Sequence, residues 1–145
     1  MTIDDFGFWW RIIWFCGFGW LYYHLKFTLM VEQMKARTKQ IGLEVIKLVE
    51  ELPNKPAAWV IGKQILRSST SVGANYRAAC RAKSQADFIY KLKIVEEEAD
   101  ETQYWLELLE ESHLTHTHRT TLLKKEMNEL VSIVVASIKT AREHK

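Results

Sequence analysis

The sequence predicts an all-α protein, an antiparallel up-down-up-down four-helix bundle behind a hydrophobic N-terminal leader. Three observations predict this fold. Apolar residues recur at helical spacing in four segments, the connections between those segments are short, and no stretch alternates apolar and polar residues as a strand does. With 48% apolar and 26% charged residues, the 145-residue chain has the composition of an ordered globular protein. We therefore expect a leader at residues 1–33 and a bundle domain at residues 34–145.

A proline-rich turn separates the first two helices. On helix one the apolar positions share a single face: Ile41, Val45, Leu48, Val49 and Leu52. The motif LPNKP then places two prolines within five residues, which ends the helix. Helix two is predicted from about Ala57 to Ala79. Its inward face consists of Ile61, Ile65, Val72, Tyr76 and Ala79.

The last two helices carry the clearest pattern. Ser84 followed by Asp87 has the form of a helix N-cap with an acidic third position. Helix three then alternates steps of four and three in a heptad pattern typical of coiled coils: Phe88, Leu92, Val95, Ala99, Thr102, Leu106 and Leu109. The stretch SHLTHTH interrupts this pattern and is expected to form a polar turn. Helix four continues with Leu123, Met127, Leu130, Val134, Ile138 and Ala141.

The leader concentrates aromatic residues, since 11 of the 17 aromatic side chains lie in the range 6–27. A membrane or interfacial anchor is one interpretation, although Arg11 interrupts the apolar span and the tryptophans are not confined to two interfacial belts. A signal peptide fits poorly because Asp4 and Asp5 stand where basic residues belong. The other interpretations are a packed extra helix and an upstream extension of a protein that starts at Met30 or Met34.

Basic residues dominate helix two, where no acidic residue occurs between Glu51 and Asp87. The net charge of +2 does not by itself imply nucleic-acid binding. At 100° per residue, however, four basic side chains share an arc of roughly 80° if the helix persists to the last of them: Lys63, Arg67, Arg77 and Arg81. Such a stripe can follow a phosphate backbone, so we expect it to bind RNA or DNA. The alternative is a solvated outer face of the bundle.

Helix three carries the opposite charge, with eight acidic residues and no lysine or arginine between Lys93 and Arg119. Acidic and basic faces on one bundle indicate complementary contacts between copies, the alternatives being solubility and pairing with helix two. A second apolar strip lies outside the heptad seam and predicts an oligomer interface. The strip consists of Ile94, Trp105 and Leu108.

Polar residues flank the core of helix two at steps of four, three and four: Gln64, Ser68, Ser71 and Asn75. Serine and asparagine are seldom favoured inside helices. Their small or hydrogen-bonding side chains predict close contact between helices, with ligand binding as the alternative.

No catalytic constellation is visible, and we expect a protein that is not an enzyme and uses neither a metal nor another cofactor. The GxSxG elbow, the phosphate-binding glycine loop and the dinucleotide fingerprint are all missing from the sequence. Glu110 and His113 have the spacing of half a di-iron motif, but the second such pair is missing. Cys16 and Cys80 form no CxxC pair, which predicts two reduced thiols in a bacterial, cytoplasmic protein.

Motifs on helices two and three carry a family resemblance. A Gln-x-x-Arg-Ser lead and a Ser-Val-x-Ala-Asn run are present at Gln64, Arg67, Ser68, Ser71, Val72, Ala74 and Asn75. Asp-Phe and Glu-x-x-Tyr-Trp-Leu-Glu features follow at Asp87, Phe88, Glu101, Tyr104, Trp105, Leu106 and Glu107. Through these motifs, and over about residues 37–142, the chain resembles the four-helix bundle proteins encoded in intervening sequences of bacterial 23S ribosomal RNA genes.

The resemblance implies a ring-shaped homopentamer. It also implies kinship with the accessory bundle protein of diversity-generating retroelements, which binds nucleic acid and a reverse transcriptase. It implies no established reaction. Family members often carry an acidic residue shortly after the motif asparagine, where this chain has Ala78 and Ala79. The hydrophobic leader has no counterpart in the family, which favours its interpretation as an extension.

Together these observations predict a non-catalytic homo-oligomer that binds nucleic acid, RNA in particular, through the basic stripe. Its expected partners are further copies of itself, RNA or DNA, and a protein such as a reverse transcriptase. A membrane joins this list only if the leader belongs to the native protein. The alternatives are an interaction scaffold that uses the acidic face and the Trp105 strip without nucleic acid, and a membrane-tethered bundle.

Overall fold

Four α-helices make up the described chain. The structure is a computed structural model, and it describes the backbone of residues 4–115 and 117–143 and the side chains of residues 24–115 and 118–143. In chain order the helices are α1 (Asp4–Glu50), α2 (Pro56–Ala79), α3 (Gln85–Glu111) and α4 (Thr117–Glu143). No strand occurs in these described ranges. The predicted all-α four-helix bundle is therefore confirmed.

The chain divides into two compact units, Met1–Met34 and Lys35–Lys145. In the first unit the side chains of residues 24–30 are exposed, including those of Leu25 and Phe27. The side chains of residues 1–23, which include most of the aromatic cluster and Cys16, lie outside the described part. Within the described part, no helix has both the length and the apolar character that crossing a membrane requires.

The bundle core lies in the second unit and receives one apolar face from each helix. The α3 seam is buried as predicted from Leu92 to Leu109, and only Phe88 at its start is half-buried. Helix α4 contributes the predicted row from Leu123 to Ile138. From α1 and α2 come the buried residues Ile41, Val45, Leu48, Ile65, Val72 and Ala79. Predicted core positions near the helix ends are half-buried instead, and they include Val49, Leu52, Ile61, Tyr76 and Ala141.

Helices α1 and α2 approach each other closely where α2 carries glycine. A Cβ atom added at Gly62 would lie 3.3 Å from Cγ1 of Val49, and one added at Gly73 would lie 3.6 Å from the backbone of Thr38. Because glycine has no side chain, the α2 backbone can pack at this distance. Lys63 and Arg67 lie on other sides of α2 and are exposed.

The predicted N-cap of α3 is confirmed. The side-chain Oγ of Ser84 accepts a hydrogen bond from the backbone N–H of Asp87 at 3.1 Å. In return, the backbone N–H of Lys83 donates to Oδ2 of Asp87 at 3.0 Å. Two amide donors at the start of the helix region are satisfied in this way, which fixes where α3 begins.

The stretch SHLTHTH ends α3 through a backbone cap. His113 adopts a left-handed conformation with a φ angle of 55°, which is uncommon for a residue other than glycine. Its N–H donates to the carbonyl oxygen of Glu110, and the N–H of Leu114 donates to that of Leu109, both at 3.0 Å. This is the hydrogen-bond pattern of a Schellman motif, and the buried Leu114 supplies its apolar contact.

Candidate nucleic-acid interface

The outer face of α2 presents basic side chains to solvent. Lys63, Arg67 and Arg77 are exposed and lie on the side of the helix opposite the buried Ile65 and Val72. We call the four predicted binding residues, these three with Arg81, the basic row.

Arg81 lies outside α2, because the helix ends two residues earlier at Ala79. The N–H of Cys80 still donates to the carbonyl oxygen of Tyr76, but the N–H of Arg81 donates to that of Ala78, three residues back, at 3.1 Å. The chain has therefore left the regular helix. The condition on which the predicted arc included Arg81 is therefore not met, although Arg81 is exposed in the turn before α3.

Arg67 differs from the rest of the basic row because α3 holds its guanidinium group. Its Nη1 donates to Oε1 of Glu98 at 3.3 Å, and its Nη2 lies 2.5 Å from Oε1 of Glu101. Trp105 Nε1 donates to the same Glu101 oxygen at 3.0 Å. The hydrogen bond from Arg67 is the main reason that the pKa of Glu101 lies below its ordinary value. Arg67 thus links α2 to α3 and is partly neutralised within the bundle.

The other members of the basic row have no carboxylate partner in the described part of the chain. The ion pairs there do not include Lys63, Arg77 or Arg81. The sequence offers no acid nearby on the same helix, since none occurs between Glu51 and Asp87. These three charges therefore remain available to an external anion.

The polar motif residues of α2 form hydrogen bonds within the bundle, one of them to α3. Ser68 is fully buried, and its Oγ accepts a hydrogen bond from Oγ1 of Thr102 on α3 at 2.9 Å. Asn75 Nδ2 donates to the carbonyl oxygen and to Oγ of Ser71, one turn earlier, at 3.0 and 2.9 Å. Gln64 is half-buried and Val72 lies in the core. These contacts fit the structural interpretation of the motif better than ligand binding.

The second apolar strip of α3 is less exposed than its sequence pattern indicates. Ile94, Trp105 and Leu108 are all half-buried in the single chain. They share one side of α3 with Glu98 and Glu101, the carboxylates that hold Arg67. Part of the apolar strip is therefore explained by the contact between α2 and α3.

The acidic residues that face solvent form a separate row on α3, which we call the acidic row: Glu97, Asp100, Glu107 and Glu111. Tyr104 lies within this row and is 53% exposed. No ion pair in the described part of the chain includes a member of the acidic row. Its charge, like that of Lys63, Arg77 and Arg81, is not neutralised by an ion pair in the described part of the chain.

The residues considered for metal binding have other contacts. Oε2 of Glu110 accepts hydrogen bonds from Lys124 Nζ at 2.6 Å and from Thr120 Oγ1 at 2.9 Å, and the first of these lowers the pKa of Glu110. Among the described residues, no group of three or more histidine, cysteine, aspartate or glutamate side chains is placed to hold a metal ion. His116 lies outside the described residues, and Cys80 is a free thiol.

Trp59 is a surface feature that the sequence interpretation missed. It is 63% exposed, and Lys63 Nζ lies 5.9 Å from the centroid of its ring, within the range of a cation–π contact. The available signal was its spacing. Trp59 precedes Lys63 by four residues, which places the indole one turn earlier on the same arc.

Comparisons with known proteins agree with the fold and with the motifs. The family model described as 23S rRNA-intervening sequence protein matches residues 32–136. A crystal structure at 1.70 Å resolution shows a similar chain, described as a protein with unknown function from the S23 ribosomal protein family of Bacteroides thetaiotaomicron VPI-5482. The two chains are 38% identical with a TM-score of 0.69, and the match covers 73% of this chain and 98% of that one. No curated protein matches. The chain belongs to the 23S rRNA-intervening sequence protein family.

Proposed function

We propose that this chain is a non-catalytic, homo-oligomeric bundle that binds RNA through the basic row of α2. The observation that carries the proposal is the set of exposed cations without a carboxylate partner in the described chain, namely Lys63, Arg77 and Arg81. Cations of this kind bind a polyanion by displacing its condensed counterions, a gain that does not depend on base sequence.

The role of Arg67 in this proposal is to hold the row in place. Its ion pairs with Glu98 and Glu101 hold α2 against α3, and so keep the other three basic residues turned toward solvent. A phosphate group at Arg67 would compete with those carboxylates, so we assign the direct contacts to the other three residues.

Charge reversal tests the proposal. The variant carries Lys63→Glu, Arg77→Glu and Arg81→Glu, and its matched control carries Lys125→Glu, Lys139→Glu and Arg142→Glu. The control residues are also exposed, lie on α4 and undergo the same change in net charge. Affinity for a fluorescently labelled 20-nucleotide RNA is measured by anisotropy in about 0.1 M salt.

We expect the α2 variant to lose about 100-fold in affinity, because counterion release at this salt concentration makes each single-strand phosphate contact worth roughly fivefold. The α4 control should stay within about threefold of the unmodified protein. Equal losses in the two variants would show a non-specific effect of net charge and would contradict the proposal. An absence of binding by the unmodified protein would do the same.

Self-association, as a pentameric ring, is the second part of the proposal. It is supported by apolar side chains that the single chain leaves exposed, among them Leu43, Ile46 and Leu122. Light scattering on the full chain gives its mass directly, and a monomer would contradict this part.

An interaction scaffold without nucleic acid is the alternative function, and the acidic row favours it. This alternative uses the Trp105 strip as an interface. It predicts that Trp105→Ala lowers the mass in solution while added RNA leaves the protein unchanged.

A further inference from the structure

The N-terminal end of α2 carries a feature that phosphate binding alone does not use. Trp59 is 63% exposed and the neighbouring Val60 is 61% exposed. Both line a surface cavity of about 360 Å³ together with Asn54, Lys55, Pro56 and Lys63. The cavity is shallow and open to solvent, so its apolar lining is accessible to a flat ring.

The surroundings of Trp59 are cationic. Lys63 Nζ lies over its ring at 5.9 Å from the centroid, and Lys55 lines the same cavity. No acidic residue occurs between Glu51 and Asp87. An exposed indole with ammonium groups beside it presents a surface for a π system and a positive field for an anion in the same place.

Trp59 also lies in line with the basic row along α2. At 100° per residue, Trp59 and Arg77 fall at the same angle around α2, with Lys63 about 40° away. Eighteen residues separate them, which corresponds to about 27 Å along the helix axis. A strand that contacts Arg77 can therefore run along the same side of α2 to Trp59.

We propose that Trp59 is a stacking platform for an unpaired base, and that the ligand of the α2 surface is therefore single-stranded RNA rather than a duplex. The inference rests on the proposed function, because it concerns the same surface. In a duplex the bases are already stacked on one another, so only the phosphates can engage the basic row. In a single strand a base can leave its neighbours and stack on the indole, while its flanking phosphates contact Lys63 and Lys55.

The experiment compares Trp59→Ala with the unmodified full-length chain on two probes. One is a labelled 12-nucleotide RNA without self-complementarity, and the other is the same strand annealed to its complement. Tyr104→Ala is the matched control, because Tyr104 is also an exposed aromatic residue but lies in the acidic row. Trp59→Phe tests whether a smaller aromatic ring restores binding.

We expect Trp59→Ala to lower single-strand affinity by about 5- to 150-fold, the range measured for loss of one base–aromatic stack, and to leave duplex affinity within about twofold. Trp59→Phe should recover part of the loss, and Tyr104→Ala should change neither affinity. Equal losses on both probes, or a loss that phenylalanine does not restore, would overturn the platform.

The failure of this inference is distinguishable from failure of the proposed function. Suppose that Trp59→Ala binds the single strand as well as the unmodified chain does, while the charge-reversal variant loses affinity. Base stacking on Trp59 is then contradicted, and RNA binding by the basic row is supported. If the unmodified chain binds neither probe, both proposals fall. A lower mass of Trp59→Ala in light scattering without RNA would assign Trp59 to an interface between copies and would also overturn the platform.

Discussion

The outer faces of α2 and α3 are built alike and charged oppositely. Each helix buries one apolar face and exposes a row of charged residues with exposed aromatic side chains beside them, Trp59 on α2 and Tyr90 and Tyr104 on α3. Among the described residues, Arg67 is the one basic side chain of α2 that forms ion pairs with α3, through Glu98 and Glu101. If mutual neutralisation were the purpose of these charges, more members of the two rows would be paired.

The difference between the paired and the unpaired charges shows which of them stabilise the fold and which are left for partners. The paired groups, Arg67 and Glu101, lie at the edge where the two helices meet, next to the half-buried Trp105. The groups without such partners lie farther out, on the faces that a second molecule can reach. We therefore assign a structural role to the pair and a binding role to the outer rows.

The largest expected effect concerns the inner face of α3. Leu106→Ala removes a side chain that is 0% exposed, and we expect a loss of about 2–5 kcal/mol in the free energy of unfolding, from lost burial and the resulting cavity. Lys125→Ala on α4 is the control, because Lys125 is exposed and its truncation should cost far less. Urea denaturation at fixed protein concentration measures both. Similar losses would contradict the distinction between inner and outer faces.

A smaller effect on the free energy of unfolding is expected at the N-termini of α2 and α3, which are capped differently. Ser84 caps α3 through its side chain, whereas Lys55 precedes α2 without a side-chain cap. Ser84→Ala should therefore lower the free energy of unfolding by about 1 kcal/mol, and Lys55→Ala should change it by less than about 0.5 kcal/mol. Thermal denaturation followed by circular dichroism compares the two variants. A Ser84→Ala protein as stable as Lys55→Ala would show that the cap contributes nothing.

The smallest expected effect concerns the ion pair between α2 and α3, Arg67 with Glu101. The pKa of Glu101 is lowered in the folded protein, chiefly by the hydrogen bond from Arg67. The stabilisation of the folded state by this pair is therefore complete above the ordinary pKa of 4.5. It is lost as the pH falls through the lower pKa of Glu101 in the folded state. Arg67→Gln should reduce the drop in melting temperature between pH 6 and pH 3, whereas Lys125→Gln should leave it unchanged. An identical drop in both variants would argue against the pair.

The sequence predicted the fold well because the signals that determine it are local and periodic. The heptad seam of α3 identified core residues such as Val95 and Leu106, and the spacing of Ser84 and Asp87 identified the N-cap. Both signals depend on residues within one helix. The family motif on α2 was equally visible, and the family match confirms it.

The features that sequence reasoning missed depend on contacts between helices or on the exact end of a helix. The sequence offered pairing of helix three with helix two as an alternative. Which residues pair, Arg67 with Glu98 and Glu101, needs the packed bundle, because the partners are more than 30 positions apart. Arg81 lies outside α2 because the helix ends at Ala79, a point that no proline or glycine marks. The exposure of Trp59 was missed because a tryptophan at helical spacing is usually a core residue.

The salt dependence of RNA binding tests the central claim, that the row on α2 and not the row on α3 binds the polyanion, most directly. Two neutralised variants are compared with the unmodified chain: Lys63→Ala with Arg77→Ala and Arg81→Ala, and Glu97→Ala with Asp100→Ala and Glu107→Ala. The logarithm of the association constant is plotted against the logarithm of the salt concentration. The slope should become shallower by about 2 in the first variant, at roughly 0.7 per lost phosphate contact, and stay unchanged in the second. A slope that is the same in the first variant as in the unmodified chain would contradict the claim.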